Sequence, residues 1–238
     1  MTQIAPGVYS LRQNTGGHVH AFLLDDGSDS LTLIDTLFDT DGQRILDQIN
    51  SLGHTVENLD HIVLTHGHRS HLGGLATLKR LSGATVHAHE WEADIIAGER
   101  PAQPVTIIPM RPLSTYWRVY YLQFGAAIGR GKHPPCPVDS FVRDGDEIGP
   151  VRVLHTPGHT PGHLAFWWED RRLLIAGDAL ATYPVFEAGW PAFNLNPTQQ
   201  RKSVRRMAEL EPEIIAVGHG EPITGGAMER LRSLVYAG

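Results

Sequence analysis

The sequence predicts an α/β fold in which two β-rich halves pack together with helices outside. Three observations carry that expectation. Short apolar runs rich in Val, Ile and Leu recur between turn signals, most of them four to six residues long, which suits strands. The strands come in hairpin-like pairs, and helical patterns follow the first three strands and return late, which is not the rhythm of a doubly wound parallel sheet. A chain of 238 residues, 41% hydrophobic, can bury a substantial core and fits one domain spanning 1–238 better than two small ones.

Taken in order, strands are expected at Val8–Leu11, Val19–Leu24, Leu31–Ile34, His61–Leu64, Thr85–Ala88, Val138–Val142, Val151–Leu154, Leu164–Trp168, Leu173–Ala176 and Ile214–Val217. Thr40 and Gln43 form a capping-box pair ahead of Ile45, Leu46, Ile49 and Leu52 at helical spacing, with Gly53 as the stop. Asn196, Pro197 and Gln199 open a second helix carrying Val204, Met207 and Leu210 on one face. Met228, Leu231, Leu234 and Val235 mark a third. The stretch from about Glu99 to Pro137 breaks the rhythm and reads as an insertion with an amphipathic helix near Leu113–Ala127. Its aromatics either pack it onto the core or make it a lid, with Tyr116, Trp117 and Tyr120 the rings expected to reach a substrate.

Composition narrows the partners. The formal charge is -6 and the basic residues are scattered, so no face is suited to nucleic-acid phosphates. No apolar stretch is long enough for a membrane span, and no basic-then-apolar leader is read at the start. The single cysteine, Cys136, fits a reducing cytoplasm. A small-molecule substrate is expected, and a homodimer is allowed. The anomaly is histidine, present 14 times.

The strongest local signal is Thr65-His66-Gly67-His68-Arg69-Ser70-His71, directly after an apolar strand. Residues two apart on extended chain point the same way, so His66 and His68 can share one metal. His71, expected at the start of the following helix, is offset towards a second. A lone histidine is ordinarily a core or surface residue, and His18, His20, His54, His61, His87, His89, His133 and His155 are read so. His18 and His20 alternate along an early strand, which leaves one of them free to face the pocket. Three later segments place ligand-type residues at strand ends: His159 within His155–His163, Asp178 after Leu173–Ala176, and His219 between two glycines.

This run resembles the HxHxDH motif of the metallo-β-lactamase superfamily, and His159, Asp178 and His219 look like its remaining ligands in the same chain order. The resemblance covers nearly the whole chain. It implies a four-layer αββα sandwich, one metal on His66, His68 and His159, a second on His71 and His219, and Asp178 bridging both. Asp35 matches the family's early aspartate, which implies that it holds a ligand histidine, and Thr65 and His163 are expected behind the ligands. One or two zinc ions suit such donors, with iron or manganese as alternatives. The chemistry expected is a metal-acidified water attacking an ester, lactone, thioester or related carbonyl. The pattern resembles the lactonase-like and glyoxalase-type branches, although a chain ending 19 residues after His219 disfavours a glutathione thioester.

Where the motif carries aspartate, this chain has Ser70, which brings no charge near pH 7. The second site is therefore expected to be weak, or completed by a water that Ser70 orients, with Ser70 as a weak direct ligand the alternative. Three readings stay open: a hydrolase with a modified second site or a single metal, a one-iron oxidation enzyme similar to persulfide dioxygenases, or a catalytically impaired metal-binding protein.

Overall fold

The computed structural model describes residues 2–128 and 132–236; residues 129–131 of the predicted insertion lie outside them. The N-terminal half builds a seven-stranded sheet in the order β1 (Thr2–Ala5), β2 (Val8–Gln13), β3 (Val19–Asp25), β4 (Leu31–Ile34), β5 (Leu59–Val63), β6 (Thr85–Ala88) and β7 (Ser140–Phe141). Its first four strands pair antiparallel and β4 to β7 pair parallel. The C-terminal half builds a five-stranded sheet from β8 (Glu147–Ile148), β9 (Val151–His155), β10 (Leu164–Trp168), β11 (Leu173–Ile175) and β12 (Ile214–Ala216), antiparallel except for the β11–β12 pair.

Alternation along the strands explains the layers. Phe22 and Leu24 of β3 and Phe166 and Trp168 of β10 point between the two sheets, where Val63, Val153 and Ile175 join them. Their neighbours Leu23 and Trp167 point the opposite way, each onto a helical layer. Leu23 meets Ile45 and Ile49 of α2 (Gln43–Ser51) and Leu75 and Leu78 of α3 (Leu75–Ser82). Trp167 meets Val204 and Met207 of α6 (Pro197–Ala208) and Leu231 of α7 (Ala227–Tyr236). Strands buried on both faces cannot alternate polar with apolar, which is why these runs read as continuous hydrophobics. Each such fully buried side chain contributes about 1.5–3 kcal/mol relative to exposure. The result is the αββα sandwich.

Several local expectations need correction. Thr40 and Gln43 form no capping box: α2 begins at Gln43 behind Gly42, and the Gln43 amide is capped by Asp41. Gly42 takes a left-handed φ of 66°, a turn the box pattern does not accommodate. The start of α6 is as expected, with the Asn196 side chain accepting from the Gln199 amide. Strands β1 and β8 escape the periodicity because they are short and mostly exposed. His18 is not on a strand; it ends a helical turn, α1 (Thr15–His18), with φ 55°. The insertion helix, α5, runs over Leu113–Ala127, and a single turn, α4 (Ala93–Ile96), precedes it.

Candidate metal centre

The ends of the strands deliver the functional side chains to one edge of the sandwich. Beyond β5 the chain bends at Thr65 and Gly67, is extended at His68, then turns at Arg69–His71, so His71 closes a tight turn rather than opening a helix. Two hydrogen bonds from Thr36, one from its amide and one from its hydroxyl, both 2.8 Å, fix the His71 carbonyl. Asp178 follows β11. His219 follows β12, and the His20 and Gly220 amides clip that loop to the start of β3. Gly218 is a glycine because a Cβ there would stand 2.0 Å from Asp178 Oδ1.

Six buried or half-buried side chains converge. His66 Nε2 and His159 Nε2 each lie 3.0 Å from His68 Nδ1. Asp178 Oδ2 is 3.7 Å from His66 Nε2, 3.5 Å from His159 Nε2 and 3.3 Å from His219 Nε2, while Oδ1 is 3.4 Å from His71 Nε2. The donors fall into two groups, His66, His68, His159 and Asp178, and His71, Asp178 and His219, each close enough to hold one ion.

The outer ring nitrogens show which way the inner lone pairs face. His71 Nδ1 donates to Asp35 Oδ2 at 2.8 Å and His219 Nδ1 to the Gly17 carbonyl at 2.9 Å. His66 Nδ1 donates to Thr65 Oγ1 at 2.9 Å, and that hydroxyl donates onward to Asp35 Oδ2. Asn194 Oδ1 lies 3.3 Å from His159 Nδ1. With Nδ1 engaged behind it, each ring turns Nε2 inward, the arrangement that orients metal-binding imidazoles. Asp35 and Thr65 thus stand behind the donors. His163 is behind them too, accepting the Asp178 amide at Nε2 and donating to Thr156 Oγ1.

Electrostatics test whether a cation fits. Burial keeps His66 and His159 well below the ordinary imidazole pKa and holds His68 at about 4, so all three are neutral at pH 7. A single proton on His68 Nδ1 satisfies only one of its two 3.0 Å contacts, leaving lone pairs in opposition. Burial lowers His71 as well, but the carboxylates of Asp178 and Asp35 outweigh it and lift it to about 10. Burial raises Asp178, and His219 and His71 outweigh that, holding its carboxyl well below the usual range. His71 Nε2 and Asp178 Oδ1 are buried without a hydrogen-bond partner among the described residues. Orphaned donors, opposed lone pairs and a central carboxylate are what a bound cation would resolve. The residues fit a metal.

A family model described as the metallo-beta-lactamase superfamily matches residues 14–219, the span that holds every donor. The chain belongs to the metallo-β-lactamase superfamily. It is 28% identical to the probable metallo-hydrolase YflN of Bacillus subtilis (strain 168), over 94% of this chain and 87% of that one. It is 31% identical to a hydroxyacylglutathione hydrolase of Methylococcus capsulatus, but across only 51% of this chain and 34% of the relative. Among solved structures, TTHA1623 in a di-iron-bound form superposes with a TM-score of 0.67 at 24% identity, covering 97% of this chain and 100% of that one.

Within this superfamily member, Ser70 sits half-buried on the Arg69–His71 turn, so the His71 group has Asp178 as its one carboxylate. The insertion reaches the centre indirectly. Tyr116 is buried, and its hydroxyl donates to Glu187 Oε2 at 2.7 Å. Tyr116 and Val119 pack with Ala181 and Trp190, and the Trp190 ring stacks on His219 at 4.2 Å. Trp117 is 52% exposed with Arg118 over its ring, and Tyr120 stands beside Phe124. Of the two early histidines, His20 hydrogen-bonds Ser10 and is buried, and His18 lies against Tyr183.

Sequence reasoning passed over Asn194, Trp190 and Glu92. Glu92 was findable: it follows a buried strand end, the same signal that selects Asp178. Asn194 and Trp190 sit in an irregular segment with no periodicity to mark them. Among the described residues no helix is long and apolar enough to cross a membrane.

Proposed function

We propose that this chain is a metal-dependent hydrolase cleaving an ester, lactone, thioester or related carbonyl bond in a small molecule. The observation that carries the reading is Asp178, a buried carboxylate between two imidazole groups, within 3.7 Å of His66, His71, His159 and His219. A cation held there supplies Lewis acidity, polarising a carbonyl and acidifying a water, and these donors suit zinc with iron or manganese as alternatives.

The chain's own residues do the rest. Asp35 fixes His71 directly and His66 through Thr65, so the donor directions are set before any ion arrives. Cys136, the chain's one thiol, is buried in the core under α3 and is no nucleophile. Helix α5, leaning on Trp190 beside His219, supports a role for the insertion as a wall or lid of the substrate pocket, with Tyr116 anchoring it. The acidic charge and lone cysteine support a small-molecule substrate in a reducing compartment.

The test loads metal-stripped protein separately with zinc, iron and manganese and assays esters, lactones and thioesters, including a glutathione thioester. Hydrolysis that disappears on chelation and returns with metal is the expected result. Full activity without metal, or no stoichiometric metal binding, overturns the proposal. Ser70 favours one competing reading, since it weakens only the second group. If iron alone gives activity, and oxygen uptake on a persulfide accompanies it, the chain is a one-iron oxidation enzyme.

A further inference from the structure

Glu92 is none of the six donors. It lies at the N-terminal end of α4, four residues past β6, and is 1% exposed. Its two carboxylate oxygens serve two different loops. The Gly67 amide donates to Oε2 at 3.0 Å, and the Gly162 amide donates to Oε1 at 2.9 Å. Gly67 stands between His66 and His68, and Gly162 stands between His159 and His163. One side chain therefore joins the two loops that bring three imidazoles together.

The chemistry of the contact calls for a carboxylate. It must accept at both ends and donate at neither, which an ionised carboxylate does and an amide cannot. Burial pushes the Glu92 carboxyl upward, and the nearby Thr160 side chain, then the two backbone amides, oppose that shift. Hydrogen bonds to a charged acceptor are roughly twice as strong as neutral ones. Both glycines make room for it. A Cβ on Gly67 would lie 2.9 Å from Ile95 Cγ2 and 3.1 Å from Glu92 Oε2, and one on Gly162 would lie 2.8 Å from Glu92 Cγ.

We infer that Glu92 is a positioning residue that locks the His66–His68 loop to the His159–His163 loop and so sets the spacing of the three imidazoles. The consequence for metal rests on the hydrolase reading above; the clamp itself does not. His71 and His219 are held by other partners, Thr36 and Asp35 for the first and Gly17 for the second. The effect of losing Glu92 is therefore selective for the His66, His68 and His159 group.

Glu92→Gln tests this, because its carboxamide can accept from one glycine amide but turns an NH2 towards the other. Cobalt(II) titrated into stripped protein against a competing chelator should bind the first equivalent about 10–100-fold more weakly, the range for losing a group that orients ligands. The visible spectrum of that first cobalt should change, and the second equivalent should bind as in wild type. In metal-free protein, hydrogen exchange should show lost protection at Gly67 or Gly162, with Ile62 and Phe166 in the strands unaffected. Wild-type cobalt affinity and spectrum together with protected glycine amides overturn the inference, even if the melting temperature falls. If wild type binds no cobalt while Glu92→Gln still exposes a glycine amide, the metal reading fails and the clamp stands. Should Glu92→Gln not fold, Gly162→Ala displaces the carboxylate without removing its charge and carries the same expectation; unchanged cobalt affinity there overturns it.

Discussion

The two halves of the centre are buried, with only His68 partly exposed, and differ in charge. His66, His68 and His159 are neutral, lie on two loops joined by Glu92, and meet Asp178 at 3.5 Å and beyond. His71 and His219 face the same carboxylate at 3.3–3.4 Å, and His71 is braced by a second carboxylate, Asp35. Position 70, beside His71, carries a serine and so adds no negative charge to the second half. Sites with equally fixed geometry can still hold metal unequally, because affinity follows ligand charge and protonation as well as ligand placement.

The largest effect tests whether the halves are coupled at all. Asp178→Asn removes the carboxylate that faces both groups, and both cations should be lost, with affinities reduced by more than about 100-fold, beyond the range for ligand-orienting groups. Metal analysis after dialysis reads this directly. Retention of one tight ion would show that the first group is complete on its imidazoles alone.

A smaller effect sharpens the contrast. Ser70→Asp adds a negative charge beside His71 and should tighten the second ion by roughly 10–100-fold, a range taken by analogy from groups around metal ligands. Titration of stripped wild type and variant should show the first equivalent unchanged. Equal, tight binding of two ions by both proteins would mean that Ser70 or another group already completes the second site.

The smallest effect separates the halves by protons. His71 has its pKa raised to about 10 in the metal-free protein, so below that pH it carries a proton that an incoming ion must displace. Affinity of the second group should therefore rise with pH, by up to about tenfold per unit between pH 7 and 9, and level off near 10. His66, His68 and His159 are already neutral across that range, so the first group should show no such slope. Calorimetric titration in buffers of different ionisation enthalpy counts the released protons. Parallel slopes for both ions would refute the assignment of the proton to His71.

Much of the candidate site was legible because metal ligands are costly to place and leave local marks. Three histidines in six residues after an apolar run, and Asp178 and His219 at strand ends, are visible without a structure. The same holds for α6, where Asn196 announces a cap, and for α5, whose predicted bounds match. The failures have a common cause. Thr40 and Gln43 carry the right side chains for a cap, but a left-handed Gly42 between them redirects the backbone. Trp117 shares a helix with Tyr116, yet one faces solvent and the other Glu187, because which side of α5 is covered depends on the loop around Trp190.

The sequence by itself determined most of the longer strands, the helices α2, α5, α6 and α7, and which histidines and aspartate stand at strand ends, with an uncharged serine at position 70, since these depend on residue type and on periods of two and 3.6 along the chain. Only the tertiary structure decided that Asp178 stands between two imidazole groups, that Glu92 joins the Gly67 loop, 25 residues before it, to the Gly162 loop, 70 residues after it, and that Gly17 caps His219 from 202 residues away. Such contacts are made between strand ends brought together by burying Phe22 against Phe166 and their neighbours, and no local pattern encodes a distance that packing alone sets.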